Sequence, residues 1–517
     1  MVLFKSAREA VDLIKDGDVV ATNGFVGIGV PEEILTVIED KYKEVGSPKD
    51  LTLYWAAGQG DSGDRGLNHF GMEGCVKSAI GGHWNLVPKL QKLAIDNKID
   101  AYNFPQGVIS HMFRDASMGL PFTISRTGLK TFADPRLEGG KINDVTKKEL
   151  VDVIEIDGEE FLKYSAPKVD VAIIRGTYAD ELGNISMAKE ALNGDAFSLA
   201  AAARSNGGII ICQVEDVVEA GSLNPKDVLV PNVLVDVVVK CSDVEKYHMQ
   251  TFGTIYNPAF SGQTKAVLAD ANPLPLNNRK VCARRTAHFF KSGNVANLGI
   301  GMPEGVAVVL NEEGQADKVT MSVEPGTTGG IPMGGLDFGA SLNPMSIVDQ
   351  GYQFDFYNGG GLSIAVLGLA ECDKHGNVNV SKFGGRVAGS GGFVDITQNV
   401  KKCIFVGTFT AGGLREDVGE GKLEITKEGR AKKFLNEVEQ VTYSAEYAKS
   451  VGQETYYVTE RAVFTIGEET LKLVEIAPGI DLQKDVLDQM EFKPEIADDL
   501  KIMDPKLFTD EKMGLIL

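Results

Sequence analysis

The octapeptide GIGVPEEI at positions 27–34 returns as GIGMPEGV at 299–306, and this duplication constrains the fold more than any other feature of the chain. Each copy follows a strand-like apolar run, DGDVVATNGF in one case and SGNVANL in the other. A second pair keeps the same order: ADELGNISM (179–187) after IIRGTY, and ECDKHGNVNV (371–380) after AVLGLA. A repeated order of strand, glycine loop and Pro-led helix reads as two diverged copies of one α/β domain. Pro31 and Asn184 are 153 positions apart, Pro303 and Asn377 only 74, so the first copy is longer by 79 residues. That excess is about the length of an aromatic-rich segment beginning near residue 80. The expected organisation is therefore a domain over 1–270 with an insertion at about 80–165, then a domain over 280–517. The stretch ANPLPLNNRK (271–280), which breaks both periodicities, marks the boundary.

The local signals agree with a mainly parallel sheet. DVVATNGFVGIGVPEEILTVIEDKYKEVG reads as strand, loop and helix, with Pro31 where its missing N–H costs nothing and Gly46 closing the helix. The alternating VDVIEIDGEEFLKY predicts a hairpin, and the strands of VDVAIIRGTY and GGIIICQVEDVV flank an alanine-rich helix, SLAAAARS. Near the end, TYYVTERAVFTI predicts two strands, and LKLVEIAPGIDLQKDVLDQM a piece ending in a helix.

Composition excludes several functions. At 517 residues the chain exceeds one ordinary core. Its net charge of −20, with no Lys/Arg run, leaves no basic footprint for nucleic acid. No stretch approaches the roughly 18 uncharged apolar residues of a membrane helix, and the N-terminus has helical charge spacing rather than a signal-peptide core. The six cysteines lie far apart with no C-x-x-C pair, and none of the six histidines has a ligand-spaced partner, so no metal site is expected. A reducing cytoplasm fits this usage best. Gly58, Gly60 and Gly63 match G-x-G-x-x-G, but no convincing helix opens after them, which argues against a dinucleotide site.

The chemistry concentrates in VTMSVEPGTTGGIPMGG (319–335), where a β-branched run delivers Glu324 into a loop of glycines. In a parallel α/β sheet, ligands bind at the carboxyl ends of strands. A glutamate here is either a solvated turn residue or a nucleophile able to form an acyl anhydride or thioester. Glycines 326, 329, 330, 334 and 335 would let a bulky substrate reach it. Such chemistry needs backbone N–H donors for an oxyanion. Two loops offer them: Gly299–Met302 ahead of Pro303, and AGSGGF (388–393) with Gly389, Gly391 and Gly392. Each is also readable as an ordinary turn. Asn377 and Asn379 could position a carboxylate or simply form a turn. Met302, Met321, Met333 and Met345 suit either core or an adaptable acyl pocket.

Together GIGMPEGVA, MSVEPGTTGG, YQFDFYNGGGLSIAVLGLAECDKHGNVNVSKFG, VAGSGGF, FVGTFTAGGL, VTERAVF and LVEIAPGIDLQKDV resemble the family I coenzyme A transferases. The likeness is greatest to the long single-chain propionate or acetate CoA-transferase type of anaerobic and enteric bacteria. AYNFPQG, GGKIND and RGTYADELGNIS carry it into the first half. The resemblance implies two related open α/β, CoA-transferase-like domains in one chain, the second carrying the catalytic glutamate. It implies ping-pong transfer between a short-chain acyl-CoA and a carboxylate (acetate, propionate or lactate type) through an acyl-glutamyl anhydride and a glutamyl-CoA thioester on Glu324. In that reading Gly392 supplies one oxyanion N–H and Asn379 is a polar partner of the glutamate. Gly299, Ile300, Gly301, Met302, Gly389 and Gly391 hold CoA or acyl groups. Coenzyme A is then a substrate, no cofactor is tightly bound, and the enzyme is a homo-oligomer, a tetramer by resemblance. An acyl-CoA hydrolase and a non-catalytic CoA-ester sensor are the rival readings. In the family a small or polar residue and then Gly commonly follow the glutamate, whereas here Pro325 stands between Glu324 and Gly326.

Overall fold

The computed structural model describes residues 2–267 and 273–517; Ala271 and Asn272, part of the stretch read as the domain boundary, lie outside the described residues. The chain forms two compact units. Unit one comprises Met1–Ala266, Val323–Asp355 and Phe383–Asp395, and unit two comprises Val267–Ser322, Phe356–Lys382 and Ile396–Leu517. The division does not follow chain order, because two segments from the second half pack into the first unit.

Unit one is built on a parallel sheet with strand order Leu3–Lys5, Val237–Lys240, Ile209–Val218, Val171–Asp180, Val19–Thr22, Leu51–Trp55, Val76–Gly81, Asp100–Asn103. Near-continuous Val/Ile/Ala runs such as VAIIRG are what a strand covered on both faces requires. Helix Glu32–Val45 follows Val19–Thr22, with Pro31 at its N-cap and Gly46 in the left-handed conformation at its end (φ 68°). Its Ile34, Leu35 and Ile38 are buried, and they join Trp55, Trp84 and Phe70 in the main core.

The segment read as an insertion is part of this architecture. It gives the sheet its edge strand Asp100–Asn103, the helix Gln106–Ser117, and an antiparallel sheet in which Glu159–Ser165 pairs with Phe122–Ser125 and Val151–Ile156. The predicted hairpin is the pair Val151–Ile156 and Glu159–Ser165.

In unit two Val295–Leu298 lies between Thr320–Val323 and Ile364–Gly368, followed by Lys402–Val406 and Glu454–Val458, all parallel. In unit one Val19–Thr22 likewise lies between Leu51–Trp55 and Val171–Asp180. The repeated motifs thus occupy equivalent strands. The turns after them match in atomic detail as well. Asp180 accepts from Leu182 N, Asn184 N and Asn184 Nδ2 at 2.9–3.0 Å; Asp373 accepts from His375 N, Asn377 N and Asn377 Nδ2 over the same range.

Beyond the repeat, Glu454–Val458, Ala462–Ile466 and Leu471–Ile476 form an antiparallel run. The helix predicted in LQKDVLDQM is reduced to short turns over Leu482–Val486 and Leu487–Gln489. There Asp481 Oδ1 accepts from Lys484 N (2.8 Å) and Asp485 Oδ2 accepts from Asp481 N (2.9 Å), so the first of these turns is capped at its start. Among the described residues no helix is long and apolar enough to cross a membrane.

Candidate active site

Strand Thr320–Val323 runs to the border of unit two, and Glu324 is placed immediately after it in unit one, 9% exposed. Val323 belongs to unit one as well. It packs with Phe25, Val26, Ile28 and Ala57 from the first copy and with Phe338 and Ala340 from the segment after the glutamate. Glu324 and Pro325 are the central residues of a turn closed by Gly326 N–H to Val323 C=O (3.1 Å). The central N–H that proline lacks is not the one that closes such a turn, so Pro325 costs it no hydrogen bond.

The glycines around Glu324 serve the chain's own packing. At Gly326 (φ 127°) a Cβ would stand 2.0 Å from Val348 O, and at Gly329 and Gly330 it would meet Met345 and the Leu342 carbonyl at 2.4 Å. The expectation that they open a path for substrate is corrected here for these three. Gly326 C=O also accepts from Val348 N (2.9 Å), and Thr327–Thr328 pairs with Ser346–Ile347, so the glutamate turn is the start of a tight β-ribbon.

The second glycine loop, 388–392, also lies in unit one and is stitched to the first copy. Ala388 C=O accepts from Trp84 N and Asn85 N (2.8 and 3.0 Å), and Ser390 N donates to Asn103 Oδ1 (3.0 Å). Gly391 N donates to Gly82 C=O (2.7 Å), while Gly391 C=O accepts from Gln106 N (3.0 Å). Gly389 bridges to His83. Gly391 therefore holds the loop with its own amide, and Gly392 is left at the threshold of helix Phe393–Asn399, where backbone N–H groups lack intrahelical partners.

Sequence reasoning missed the polar groups behind this loop. Gln106 Nε2 donates to Gln350 Oε1 (2.9 Å), and Gln350 Nε2 donates to Asp195 Oδ2 (2.7 Å) and Ser110 Oγ (2.8 Å). All four residues are buried. Burial raises the Asp195 carboxyl to about 7, with Asp349 adding to the rise, while Ser110, His111 and Gln350 oppose it. His83 borders the same loop. Its ring lies between Gly58 and Gly391: a Cβ would be 2.6 Å from Nδ1 at the first and 3.6 Å from Cδ2 at the second. Burial pushes its pKa down to about 4, so the imidazole is neutral. These residues have no shared periodicity; only FPQG around Gln106 stood within a motif.

The remaining candidates lie in unit two. Gly299 N–H is spent on Val366 C=O (2.8 Å), so it is not available as an oxyanion donor, whereas Ile300 stands 58% exposed. Gly301, in the left-handed conformation (φ 87°), accepts at its C=O from Arg279 Nη2 (2.8 Å), and Met302 begins a short 3₁₀ turn. Asn379 is fully buried, and its amide is committed within the unit. Nδ2 donates to Glu371 Oε2 and Lys382 C=O (2.7 and 2.6 Å), while Oδ1 accepts from Ser381 N and Lys382 N (3.1 and 3.2 Å). With both ends of the amide so used, its polar-partner role toward Glu324 is replaced by that of a turn clamp. Among the described residues no group of His, Cys, Asp and Glu could hold a metal ion.

Two sheets with a common parallel core, and an acid at a strand end beside a ribbon of glycines, define an α/β protein of duplicated architecture. The sequence profile of the family Coenzyme A transferase matches residues 4–241. The chain is 44% identical over 514 residues to acetate CoA-transferase YdiF of Escherichia coli K12, covering 99% of this chain and 96% of that protein. It is 46% identical over 520 residues to caffeate CoA-transferase of Acetobacterium woodii, covering 100% and 99%. The crystal structure of the acyl-CoA transferase YdiF of E. coli O157:H7 in a thioester complex with CoA superposes with a TM-score of 0.94 at 43% identity, covering 100% of this chain and 98% of that one. The chain belongs to the coenzyme A transferase family. It is a CoA-transferase, with coenzyme A as a substrate rather than a resident cofactor.

Proposed function

We propose that the chain moves coenzyme A between a short-chain acyl-CoA and a short-chain carboxylate of the acetate, propionate or lactate type, with Glu324 as the nucleophile. The observation that carries this reading is the placement of Glu324, almost buried at the end of a parallel strand and fixed by the ribbon at Gly326. The carboxylate attacks the thioester carbonyl, the C–S bond breaks, and an acyl-glutamyl anhydride and CoA thiolate result. The thiolate attacks the glutamyl carbonyl, releasing the acid as its carboxylate and leaving a glutamyl-CoA thioester. An incoming carboxylate reverses both steps and leaves as its CoA ester, so atoms and charge balance without a co-reactant. Gly392 N–H stabilises the oxyanion. Gly299, exposed Ile300, Gly301 and Met302, and Gly389 and Gly391, are the CoA- or acyl-binding positions in this reading.

The thioester complex of YdiF supports a covalent CoA intermediate here. The six cysteines, all buried and unpaired, fit a cytoplasmic enzyme, and a homo-oligomer, a tetramer by family resemblance, is the proposed assembly, which sedimentation would check. Intact and peptide mass measurement after incubation with propionyl-CoA should find a CoA-sized adduct on Glu324. A CoA adduct on another residue, or full activity without adduct in Glu324→Gln, would overturn the mechanism. CoA ester consumption should be nearly idle until acetate is added; steady CoA release without an acceptor acid would instead identify a hydrolase.

A further inference from the structure

Behind the 388–392 loop, the chain Asp195, Gln350, Gln106 consists of one carboxyl and two carboxamides joined end to end by hydrogen bonds of 2.7 and 2.9 Å. A carboxamide is an acceptor at one end and a donor at the other, so fixing one end of the chain fixes every member. With Asp195 accepting, Gln350 must point Nε2 at it and offer Oε1 to Gln106. Gln106 then spends Nε2 on that oxygen and turns its own Oε1 forward, to 3.7 Å from where a Cβ of Gly391 would stand. A proton on Asp195 Oδ2 reverses the order. The carboxyl O–H donates to a flipped Gln350 Oε1, Gln350 Nε2 donates to Gln106 Oε1, and Gln106 presents Nε2 beside Gly391. Ser110 Oγ, bonded to both Asp195 Oδ2 (3.1 Å) and Gln350 Nε2 (2.8 Å), can donate or accept and so tolerates either state.

We propose that Asp195 and Gln350 are positioning residues which, through their protonation-coupled amide order, set whether Gln106 meets the incoming acid beside Gly391 with its carbonyl or with its NH2. The inference rests on the transfer reaction proposed above, in which a carboxylate enters this site.

The surroundings allow a proton to decide the order. Asp195 Oδ1 has no partner among the described residues, and Asp195 N donates to Asn23 Oδ1 (2.8 Å). The titratable groups that face it are Asp349, from the segment before Gln350, which raises its pKa, and His111, from helix Gln106–Ser117, which lowers it. Asp349 is itself raised by burial and accepts from Asn193 Nδ2 (3.0 Å). His111 meets Asp355 (3.1 Å), which Arg114 also pairs. The balance leaves Asp195 titrating at about 7, so both orders are populated near neutrality. Below that value Gln106 offers N–H to a carboxylate; above it the carbonyl faces the anion and repels it.

The test is the KM for acetate, with propionyl-CoA as donor, from pH 6 to 8.5, where acetate itself does not titrate. In the wild type it should rise about tenfold across pH 7, the weight of one hydrogen bond to a charged group. Asp195→Asn, nearly isosteric and without a proton to lose, and Gln350→Met, which cuts the chain, should both give a flat profile. A wild-type rise that persists in Asp195→Asn, or a flat wild-type profile, overturns the proposal. CoA-adduct mass on Glu324, recorded for each protein, separates this outcome from failure of the transfer mechanism, since the relay can fail while the adduct still forms.

Discussion

The loops GIGVPEEI and GIGMPEGV share a sequence and a backbone bend, with Gly29 at φ 70° and Gly301 at φ 87°, yet one is plugged and the other open. In the first copy Ile28 and Val30 are completely buried, and Arg175 Nη1 donates to Val30 C=O (3.1 Å). That arginine is buried too, paired with Glu190 through bonds of 2.6 and 3.1 Å. In the second copy Ile300 is 58% exposed, and counting back from the matched Asp373 puts Gly368 where Arg175 stands. The strand ends diverge in the opposite sense: Leu51–Trp55 leads into Ala56, Ala57 and Gly58, whereas Thr320–Val323 leads into Glu324. The first copy's loop is thus filled with core, while the second copy's loop is exposed and its strand ends in an acid. One motif can therefore be core in one place and exposed in another, and the binding role proposed for the second rests on that exposure.

The comparison can be broken at several points. Glu324→Gln should have the largest effect, a loss of about 1,000-fold or more in kcat with little change in melting temperature, because the proposed nucleophile is removed and its shape retained. Activity close to wild type in Glu324→Gln would place the nucleophile on another residue.

Arg175→Met should destabilise the fold by about 3–5 kcal/mol in urea, because it leaves Glu190 buried without its cation. Burial alone would raise the Glu190 carboxyl, but Arg175 and His248 hold it down at about 2. A depressed folded pKa means that its stabilisation is complete above the unfolded value of about 4.3 and is lost as pH falls toward 2. Wild-type urea midpoints should fall across that window, and the fall should shrink in Glu190→Gln paired with Arg175→Met.

The two isoleucines give the direct test of plugged against open. Ile28→Ala should cost about 2–5 kcal/mol, a core deletion. Ile300→Ala should stay within about 0.5 kcal/mol in stability, as an exposed change does, while raising the KM for acyl-CoA. Equal stability losses at the two sites would erase the distinction.

Much of this was legible. The duplication, the parallel sheets and the Asp180 and Asp373 turns follow from motifs that recur in the same order, because local backbone chemistry is written locally. Glu324 stood out as an acid after a β-branched run. What was misread depended on distance in sequence. Gly326, Gly329 and Gly330 look like open space in a string of letters, but Val348, Leu342 and Met345 fill that space. Asn379 looks like a free amide until Glu371 and Lys382 claim it. The segment from 80 to 165 reads as an insertion, but its letters do not show that it builds the strand whose Asn103 ties down Ser390.

The sequence by itself determined two copies of one α/β unit, the strand end carrying Glu324 and the family of chemistry, since strand, turn and cap preferences act over a few neighbouring residues. Only the tertiary structure decided which copy's loop is closed, and that Gln106, Gln350 and Asp195 form one chain. Those outcomes come from side chains 85 to 244 positions apart competing for the same buried volume and the same hydrogen-bond partners, a competition that no local pattern encodes.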